Sequence, residues 1–288
     1  MDYKSTENWV LSRLPSYQAI GKKAYNPGLK NVVKFVSILD LPIDSLNLIH
    51  VGGTNGKGST SSYISSILQE SNYQVGIFSS PHFFDFRERI KINNQKISKS
   101  FIVDFVNKYK SLIEELELSF FELSFCISLA YFVHNDVDYG VIEVGLGGRL
   151  DATNIINPLI SVITNISYDH TDILGNSLEM IALEKAGIFK KNSTIIVGER
   201  NDSVDEIFIN KANEVSSKIT FVPDYNDQKQ YSSVNYLNTN IKTAIYTCKA
   251  LNIENVDNKS IMTGISNINK NCQLIGRWSI ISEDPRVI

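Results

Sequence analysis

The chain has 288 residues, of which 43% are hydrophobic and 20% are charged, a balance typical of a globular protein. Its formal net charge of −3 gives no electrostatic case for binding nucleic acid or an anionic membrane surface. The first residues, MDYKSTENWVLSRLPS, carry charges and a proline where a signal peptide needs an apolar core, and no later apolar run is long enough to span a membrane. We therefore expect a cytoplasmic protein.

Three cysteines, Cys126, Cys248 and Cys272, are odd in number and far apart in the sequence. This spacing predicts neither a disulfide framework nor a cysteine-based metal site. We expect them to be reduced residues of the core.

Apolar, β-rich runs alternate along the chain with longer segments of helical periodicity, which predicts an α/β fold with a mostly parallel sheet flanked by helices. The predicted strands are residues 46–51, 73–79, 139–145, 159–166 and 193–199. The predicted helices are residues 59–71, 101–116, 121–135, 177–189 and 240–251. Residues 224–240 are polar and rich in turn formers, and they predict a small appended β element before the last helix.

The segment HVGGTNGKGS, residues 50–59, connects the first predicted strand to a helix and is rich in glycine. It is not a Walker A loop, because the spacing from Gly52 to Gly56 is one residue short and Lys57 is followed by Gly58. Such glycines let backbone N–H groups approach a polyphosphate, while a lysine and a helix N-terminus add positive charge. A tight connection without a ligand is the alternative for this loop in isolation.

Further polar residues follow the other predicted strands, where the carboxyl ends of parallel strands meet at one edge of the sheet. Ser79 to His82 follow the second strand, Glu143 closes the third, and Asp169 and His170 follow the fourth. An unpaired charge at the end of an apolar strand is costly, so Glu143 needs a partner. Mg²⁺ is one candidate, and a salt bridge to a lysine or arginine is the alternative.

Two other residues gain no role from their type alone. A single histidine such as His170 is more often structural than a ligand, and Mg²⁺ prefers oxygen. A helical lysine such as Lys185 is ordinarily solvated. The glycines of VIEVGLGGRLDATN also fall short of a dinucleotide-binding motif, because Leu150 stands where the third glycine belongs.

Four segments in register resemble folylpolyglutamate synthase and its bifunctional form with dihydrofolate synthase, which belong to the Mur ligase superfamily. The segments are HVGGTNGKGSTSSYISSILQESNYQVGIFSSPHFFDFRERIKIN, VIEVGLGGRLDATNII, SYDHTDILGNSLEMIALEKAGIF and IGRWSIISEDPRVI. In that superfamily GTNGKGS is the phosphate loop. The resemblance implies a P-loop-containing, Mur ligase-like ATP-binding domain over residues 1–270. It also implies a linker over residues 271–288 that leads toward a C-terminal domain, which we expect to be missing.

The implied activity is ATP-dependent amide formation. In this family the γ-phosphoryl group of ATP activates a pteroate or folate carboxylate as an acyl phosphate, which the amine of L-glutamate then attacks. The implied partners are therefore ATP, Mg²⁺, pteroate or folate, and glutamate, and the implied state is a monomer. We expect incomplete turnover from the 288-residue chain. A stand-alone ATP- and folate-binding module, and another Mur-type amide ligase, are the alternatives.

The resemblance also assigns individual residues. ATP phosphates would be held by Thr54, Asn55, Gly56, Lys57, Gly58 and Ser59, adenine by Asn240, and the phosphates again by Arg277, although Ile275 stands where the family usually has proline. Ser80 and Glu143 would hold one Mg²⁺, and His170 would help to hold a second. Lys185 matches a lysine that is often carbamylated. The pteroate or folate pocket would be lined by His82, Phe121, Asp151 and Ala152, with core packing as the alternative for Phe121.

Overall fold

The computed structural model describes residues 1–15, 28–223 and 230–274, together with the backbone of residues 282–283 and 286–287. Its strands are β1 (Leu48–Gly52), β2 (Val75–Phe78), β3 (Ile90–Ile92), β4 (Gln95–Lys96), β5 (Tyr139–Glu143), β6 (Ile160–Ile163), β7 (Thr194–Val197), β8 (Lys218–Phe221), β9 (Ser282–Glu283) and β10 (Arg286–Val287).

The first helices in the chain are α1 (Tyr3–Arg13), α2 (Lys30–Leu39), α3 (Lys57–Glu70), α4 (Lys99–Glu115), α5 (Phe120–His134) and α6 (Thr171–Leu174). They are followed by α7 (Leu178–Ala186), α8 (Asp205–Glu214), α9 (Asn235–Ala250), α10 (Asn258–Ser266) and α11 (Ile268–Cys272). Short 3₁₀ turns lie at Ile43–Ser45, Phe86–Arg89 and Ala152–Ile155. Each predicted strand and helix coincides with one of these elements, with ends that differ by a few residues.

Strands β1 to β8 form one sheet in the order β4-β3-β2-β5-β1-β6-β7-β8. Six of them, from β2 across to β8, pair in parallel, while β3 and β4 extend one edge in antiparallel fashion. The prediction of a mostly parallel sheet is therefore confirmed. Because β2, β5, β1 and β6 are neighbours, the four predicted polar strand ends lie at one edge.

Strand β1 shows how the sheet lies between two layers. Successive side chains of a strand point to opposite faces, and here Leu48 joins one hydrophobic cluster while Ile49 and Val51 join another. All five residues of β1 are buried, as expected for a parallel strand with both faces covered. The apolar run thus places the end of β1 in a rigid part of the molecule.

Helix α3, which follows β1, is held by polar contacts as well as by apolar packing. Ser66 Oγ donates to the carbonyl of Gly264 at 2.6 Å, and a Cβ on Gly264 would meet the backbone of α3 at 2.6 Å. Glu70 Oε1 accepts from the amides of Asn267 and Asn271, each at 2.8 Å. These contacts hold the C-terminal half of α3 against the segment that contains α10 and α11.

The prediction of a small β element over residues 224–240 is wrong for the part that the structure describes. Residues 224–229 lie outside the described residues, and α9 already begins at Asn235. Buried Ile241, Ala244, Ile245 and Cys248 recur at helical spacing and pack in the core, which outweighs the weak helix propensity of the preceding polar residues. A two-stranded antiparallel sheet occurs instead at β9 and β10.

Among the described residues, no helix has the length and apolar character needed to cross a membrane. The three cysteines are free and buried, as predicted.

Candidate active site

The loop between β1 and α3 contains two glycines that other residues could not easily replace. Gly53 has φ +138° and Gly56 has φ +80°, both in the region that L side chains rarely adopt. A Cβ on Gly53 would overlap the hydroxyl of Thr164, and a Cβ on Gly56 would overlap the side-chain amide of Asn240. The loop can therefore lie flat against its neighbours only with glycine at these positions.

Asn165, at the end of β6, braces this loop and was not identified from the sequence. Its carbonyl accepts the N–H of Thr54 at 3.0 Å, its Oδ1 accepts the N–H of Asn55 at 2.9 Å, and its Nδ2 donates to the carbonyl of Asn55 at 3.2 Å. Thr164 Oγ1 also donates to the carbonyl of Asn55 at 2.6 Å. The N–H groups of Thr54 and Asn55 are thus committed to the brace, and these residues shape the loop. A polar Thr-Asn pair ending an apolar strand was the available signal.

Free backbone donors lie in the first turn of α3. The N–H of Thr60 makes the first helical bond, to the carbonyl of Gly56, so the N–H groups of Lys57, Gly58 and Ser59 have no acceptor within the helix. Lys57 Nζ lies at the same end and donates to the carbonyls of Gly53 and Thr54, each at 3.2 Å. These donors and the helix dipole form a site for an anion.

Glu143 is the buried carboxylate beside that helix end. Its side chain is only 4% exposed, and its Oε2 accepts the N–H of Ser80 at 3.0 Å. Both carboxylate oxygens would lie 3.6 Å from a Cβ on Gly58, so glycine at that position leaves room for them. Glu143 thus has a backbone N–H as a hydrogen-bond partner, and the charges of Lys57 and Arg89 also act on it.

Burial raises the pKa of Glu143 to about 7, while the charges of Lys57 and Arg89 and the Ser80 N–H limit the rise. Burial therefore makes the ionised form of this carboxylate costly. Glu143 lines a cavity of about 660 Å³ together with Ser59 and Ser80. A carboxylate and two hydroxyls suit Mg²⁺, a hard cation that takes oxygen ligands.

The described residues contain no group of three or more His, Cys, Asp and Glu side chains arranged to hold a metal ion. Hydroxyls and the oxygens of a bound ligand would have to complete the coordination around Glu143. His170 has φ +44° and its Nε2 lies 3.6 Å from Asp169 Oδ1. That contact does not bring it to Glu143, so its role at a second metal ion stays a prediction.

Lys185 reaches the phosphate loop from α7. Its side chain is only 3% exposed, and its Nζ donates to the carbonyl of Gly53 at 2.8 Å, the same carbonyl that Lys57 contacts. Burial, and secondarily the charge of Lys57, lowers the pKa of Lys185 to about 7. A substantial neutral fraction near pH 7 distinguishes Lys185 from the solvated lysine that its residue type suggests. Carbamylation of this amine stays a prediction.

The residues predicted to line the pteroate or folate pocket lie next to the sheet edge. A Cβ on Gly145 would meet the Phe121 ring at 2.5 Å and Asp151 Oδ2 at 3.1 Å, which places ring and carboxylate side by side. Phe121 also packs against the Phe78 ring, 5.6 Å between centroids, and Ala152 is buried in the same hydrophobic cluster. Core packing is therefore compatible with ligand contact for Phe121 and for Ala152.

His82 lies on the loop after β2 and accepts a hydrogen bond at Nδ1 from Arg89 Nε at 2.8 Å. Burial and the neighbouring Arg89 charge lower the pKa of His82, so the ring is neutral. Its ring also lies 6.1 Å from that of Phe120. Arg277, the last predicted ATP contact, lies outside the described residues.

Comparison with known proteins places this geometry in a family. Residues 51–272 match the model of the Mur ligase middle domain. The dihydrofolate synthase/folylpolyglutamate synthase of Bacillus subtilis is 40% identical over 201 residues, which cover 67% of this chain and 45% of the relative. The protein of the same name from Buchnera aphidicola subsp. Acyrthosiphon pisum is 33% identical over 300 residues, which cover 98% of this chain and 71% of the relative. This chain is therefore shorter than these relatives.

Solved structures point to the same family as the sequence comparisons. A folylpolyglutamate synthase complex with AMPPCP and folate is 27% identical and has a TM-score of 0.84, with 99% of this chain and 75% of that chain covered. A bifunctional folylpolyglutamate synthase/dihydrofolate synthase with Mn, AMPPNP and L-glutamate bound is 28% identical, has a TM-score of 0.80 and matches 99% of this chain and 71% of that chain. Because sequence and structure agree over most of its length, the chain belongs to the Mur ligase family, in the branch of the folylpolyglutamate and dihydrofolate synthases.

Proposed function

We propose that this chain binds Mg²⁺–ATP at the loop before α3 and activates a pteroate or folate carboxylate as an acyl phosphate for amide formation with L-glutamate. The observation that carries the proposal is the buried Glu143 carboxylate, which lies beside the free N-terminal donors of α3 and faces a cavity of about 660 Å³. The relatives described above, with AMPPCP and folate or with Mn, AMPPNP and L-glutamate, support it.

On the ATP side, the N–H groups of Lys57, Gly58 and Ser59 receive phosphate oxygens, while Thr54 and Asn55 hold the loop in shape. The Lys57 ammonium has three hydrogens and makes two contacts within the loop, so one hydrogen remains for a phosphate.

Two further residues complete the proposed nucleotide site. Asn240, packed over Gly56, contacts adenine. Arg277, which lies outside the described residues, is assigned to the phosphates by its resemblance to the family's linker arginine. Together with the loop, these groups neutralise and align the transferred phosphoryl group.

The metal site consists of Glu143 and Ser80, with His170 at a second ion. When bound, Mg²⁺ neutralises charge between the phosphates and the substrate carboxylate. A carboxylate is a poor electrophile at neutral pH, and its phosphorylation creates a leaving group that the glutamate amine can displace. Burial leaves a substantial fraction of the Lys185 amine neutral near pH 7, beside the loop. That amine can add CO₂ and release one proton to give an anionic carbamate, which would orient groups of the metal site.

On the substrate side, Phe121 stacks on the pterin ring while Asp151 accepts from its N–H groups, with Ala152 and His82 completing the wall. A planar heterocycle suits an aromatic face with a few placed polar groups. Residues 1–270 would act as the ATP-binding domain and residues 271–288 as a linker. We propose a cytoplasmic monomer that uses these small molecules as its partners.

Titration calorimetry with AMPPCP, with and without Mg²⁺, tests the nucleotide site. We expect Lys57→Ala to weaken AMPPCP binding about tenfold, since a charge-assisted contact is lost. Lys34→Ala, which removes an exposed lysine that lies 3.8 Å from Glu115, is the matched control and should bind normally. Glu143→Ala should bind AMPPCP but lose the gain that Mg²⁺ gives the wild type.

The same protein then tests the reaction. ADP release that depends on both dihydropteroate or folate and L-glutamate would support the ligase. Binding of both AMPPCP and pteroate without ADP release would favour a stand-alone binding module. A wild-type chain that binds neither would refute the proposal.

A further inference from the structure

A buried chain of three polar side chains runs from the centre of β1 to Asp151. His50 is 0% exposed, and its Nε2 lies 2.8 Å from Thr153 Oγ1. The Thr153 hydroxyl makes a short hydrogen bond to Asp151 Oδ1. Asp151 also accepts the N–H of Thr153 at 3.0 Å and the N–H of Leu146 at 2.8 Å. The carboxylate is therefore held from two sides.

The hydrogen bonds of this side-chain series run in one direction, with donors pointing from His50 toward Asp151. An ionised carboxylate only accepts, so the Thr153 hydroxyl donates its single hydrogen to Asp151 and its oxygen accepts from His50 Nε2–H. Burial keeps the His50 ring neutral by lowering its pKa to about 3. His50 Nδ1 then carries a lone pair, and among the described residues this buried atom has no hydrogen-bond partner.

The other end of the hydrogen-bonded chain lies beside the Phe121 ring. Asp151 Oδ2 lies 3.1 Å, and the Phe121 ring 2.5 Å, from the place where a Cβ on Gly145 would stand. Charged groups from three elements act on this carboxylate, namely Glu122 of α5, Glu143 of β5 and Lys185 of α7. Burial raises the pKa of Asp151, and the hydrogen bonds from the Thr153 hydroxyl and from backbone N–H groups act against that rise.

We propose that His50 and Thr153 are positioning residues that hold Asp151 as an ionised acceptor, turned toward the N–H donors of the pterin ring. The proposal rests on the function proposed above, because it needs a pterin ring next to Phe121 and Asp151. His50 acts through Thr153, and neither residue touches substrate. Strand β1 thus supports the phosphate loop at its end and the pterin-binding carboxylate at its centre.

The first test compares the binding of dihydropteroate and of AMPPCP by variants of Thr153. Thr153→Val keeps the shape but loses the hydroxyl, and we expect dihydropteroate affinity to fall about tenfold while AMPPCP affinity changes less than about twofold. Thr153→Ser restores the hydroxyl and should restore dihydropteroate affinity. The matched control is Thr247→Val, which removes a buried hydroxyl that donates to the carbonyl of Thr243 at 2.8 Å, and should leave both affinities unchanged.

A double-mutant cycle tests His50. His50→Leu should weaken dihydropteroate binding in the wild-type background and add little to Thr153→Val, since both residues act in one chain. Retained AMPPCP binding shows that each variant is folded.

The outcomes separate the two proposals. If the wild type binds dihydropteroate and Thr153→Val binds it equally well, this inference is refuted and the proposed function stands. Equal losses of both ligands in Thr153→Val, failure of Thr153→Ser to restore binding, or additive effects of His50→Leu and Thr153→Val would also refute it. A wild type that binds AMPPCP but no dihydropteroate would refute the proposed substrate, and this inference with it.

Discussion

Replacing Glu143 with glutamine should make the ligand-free protein more stable at alkaline pH while removing its response to Mg²⁺. Burial raises the pKa of Glu143 from 4.5 to about 7, so the folded state binds a proton more tightly than the unfolded state. The stability contributed by this carboxyl is fully present below pH 4.5 and is lost as the pH rises through 7. A rise of this size corresponds to about 3 kcal/mol at about 1.4 kcal/mol per pH unit.

Glutamine resembles the protonated side chain at every pH, so Glu143→Gln does not carry the cost of burying an ionised carboxylate. We expect its free energy of unfolding at pH 8 to exceed that of the wild type by about 3 kcal/mol, and the two to converge near pH 4.5. At roughly 2–4 °C per kcal/mol, the gap in Tm at pH 8 would be about 6 °C or more. Adding Mg²⁺ should raise the Tm of the wild type and leave that of the variant unchanged.

Urea unfolding followed by circular dichroism from pH 4.5 to 8.5 measures the effect. Glu115→Gln is the control, because this side chain is 67% exposed and its ion pair with Lys34 spans 3.8 Å. Such a change should alter stability by less than about 0.5 kcal/mol. If the gap for Glu143→Gln has the same size at every pH, or if the variant is the less stable protein at pH 8, the argument from burial is wrong.

Lys185→Met should be more stable than the wild type at pH 6. Burial lowers the pKa of Lys185 from 10.5 to about 7, so the buried ammonium destabilises the folded wild type at that pH. The gap in urea midpoint should shrink as the pH rises from 7 toward 10, and an unchanged gap would contradict this reasoning. Asn165→Ala should weaken AMPPCP binding about tenfold by releasing the phosphate loop. Asn271→Ala, which removes a buried amide contact to Ser66 and Glu70, is its control, and equal losses in both variants would count against a specific brace.

Hydrophobic periodicity was enough to predict the central strands and helices, because both faces of a parallel sheet must be buried and its strands are therefore short and almost wholly apolar. The same pattern placed Gly56, Lys57, Ser80 and His170 after strands and Glu143 at the end of one, and hence all five at one edge of the sheet. Residues 235–240 of α9 were mistaken for part of a β element, because their helix depends on packing further along the chain.

The sequence by itself determined the sheet, the glycine-rich loop at its edge and the family, since these depend on local residue order. Only the tertiary structure decided which groups meet there. Asn165 braces the loop across two neighbouring strands, and Lys57 and Lys185 converge on the carbonyl of Gly53 from separate helices. The reason is physical: the pKa of Glu143 or Lys185, and the partner of a buried polar atom, depend on burial and on groups far away in the chain.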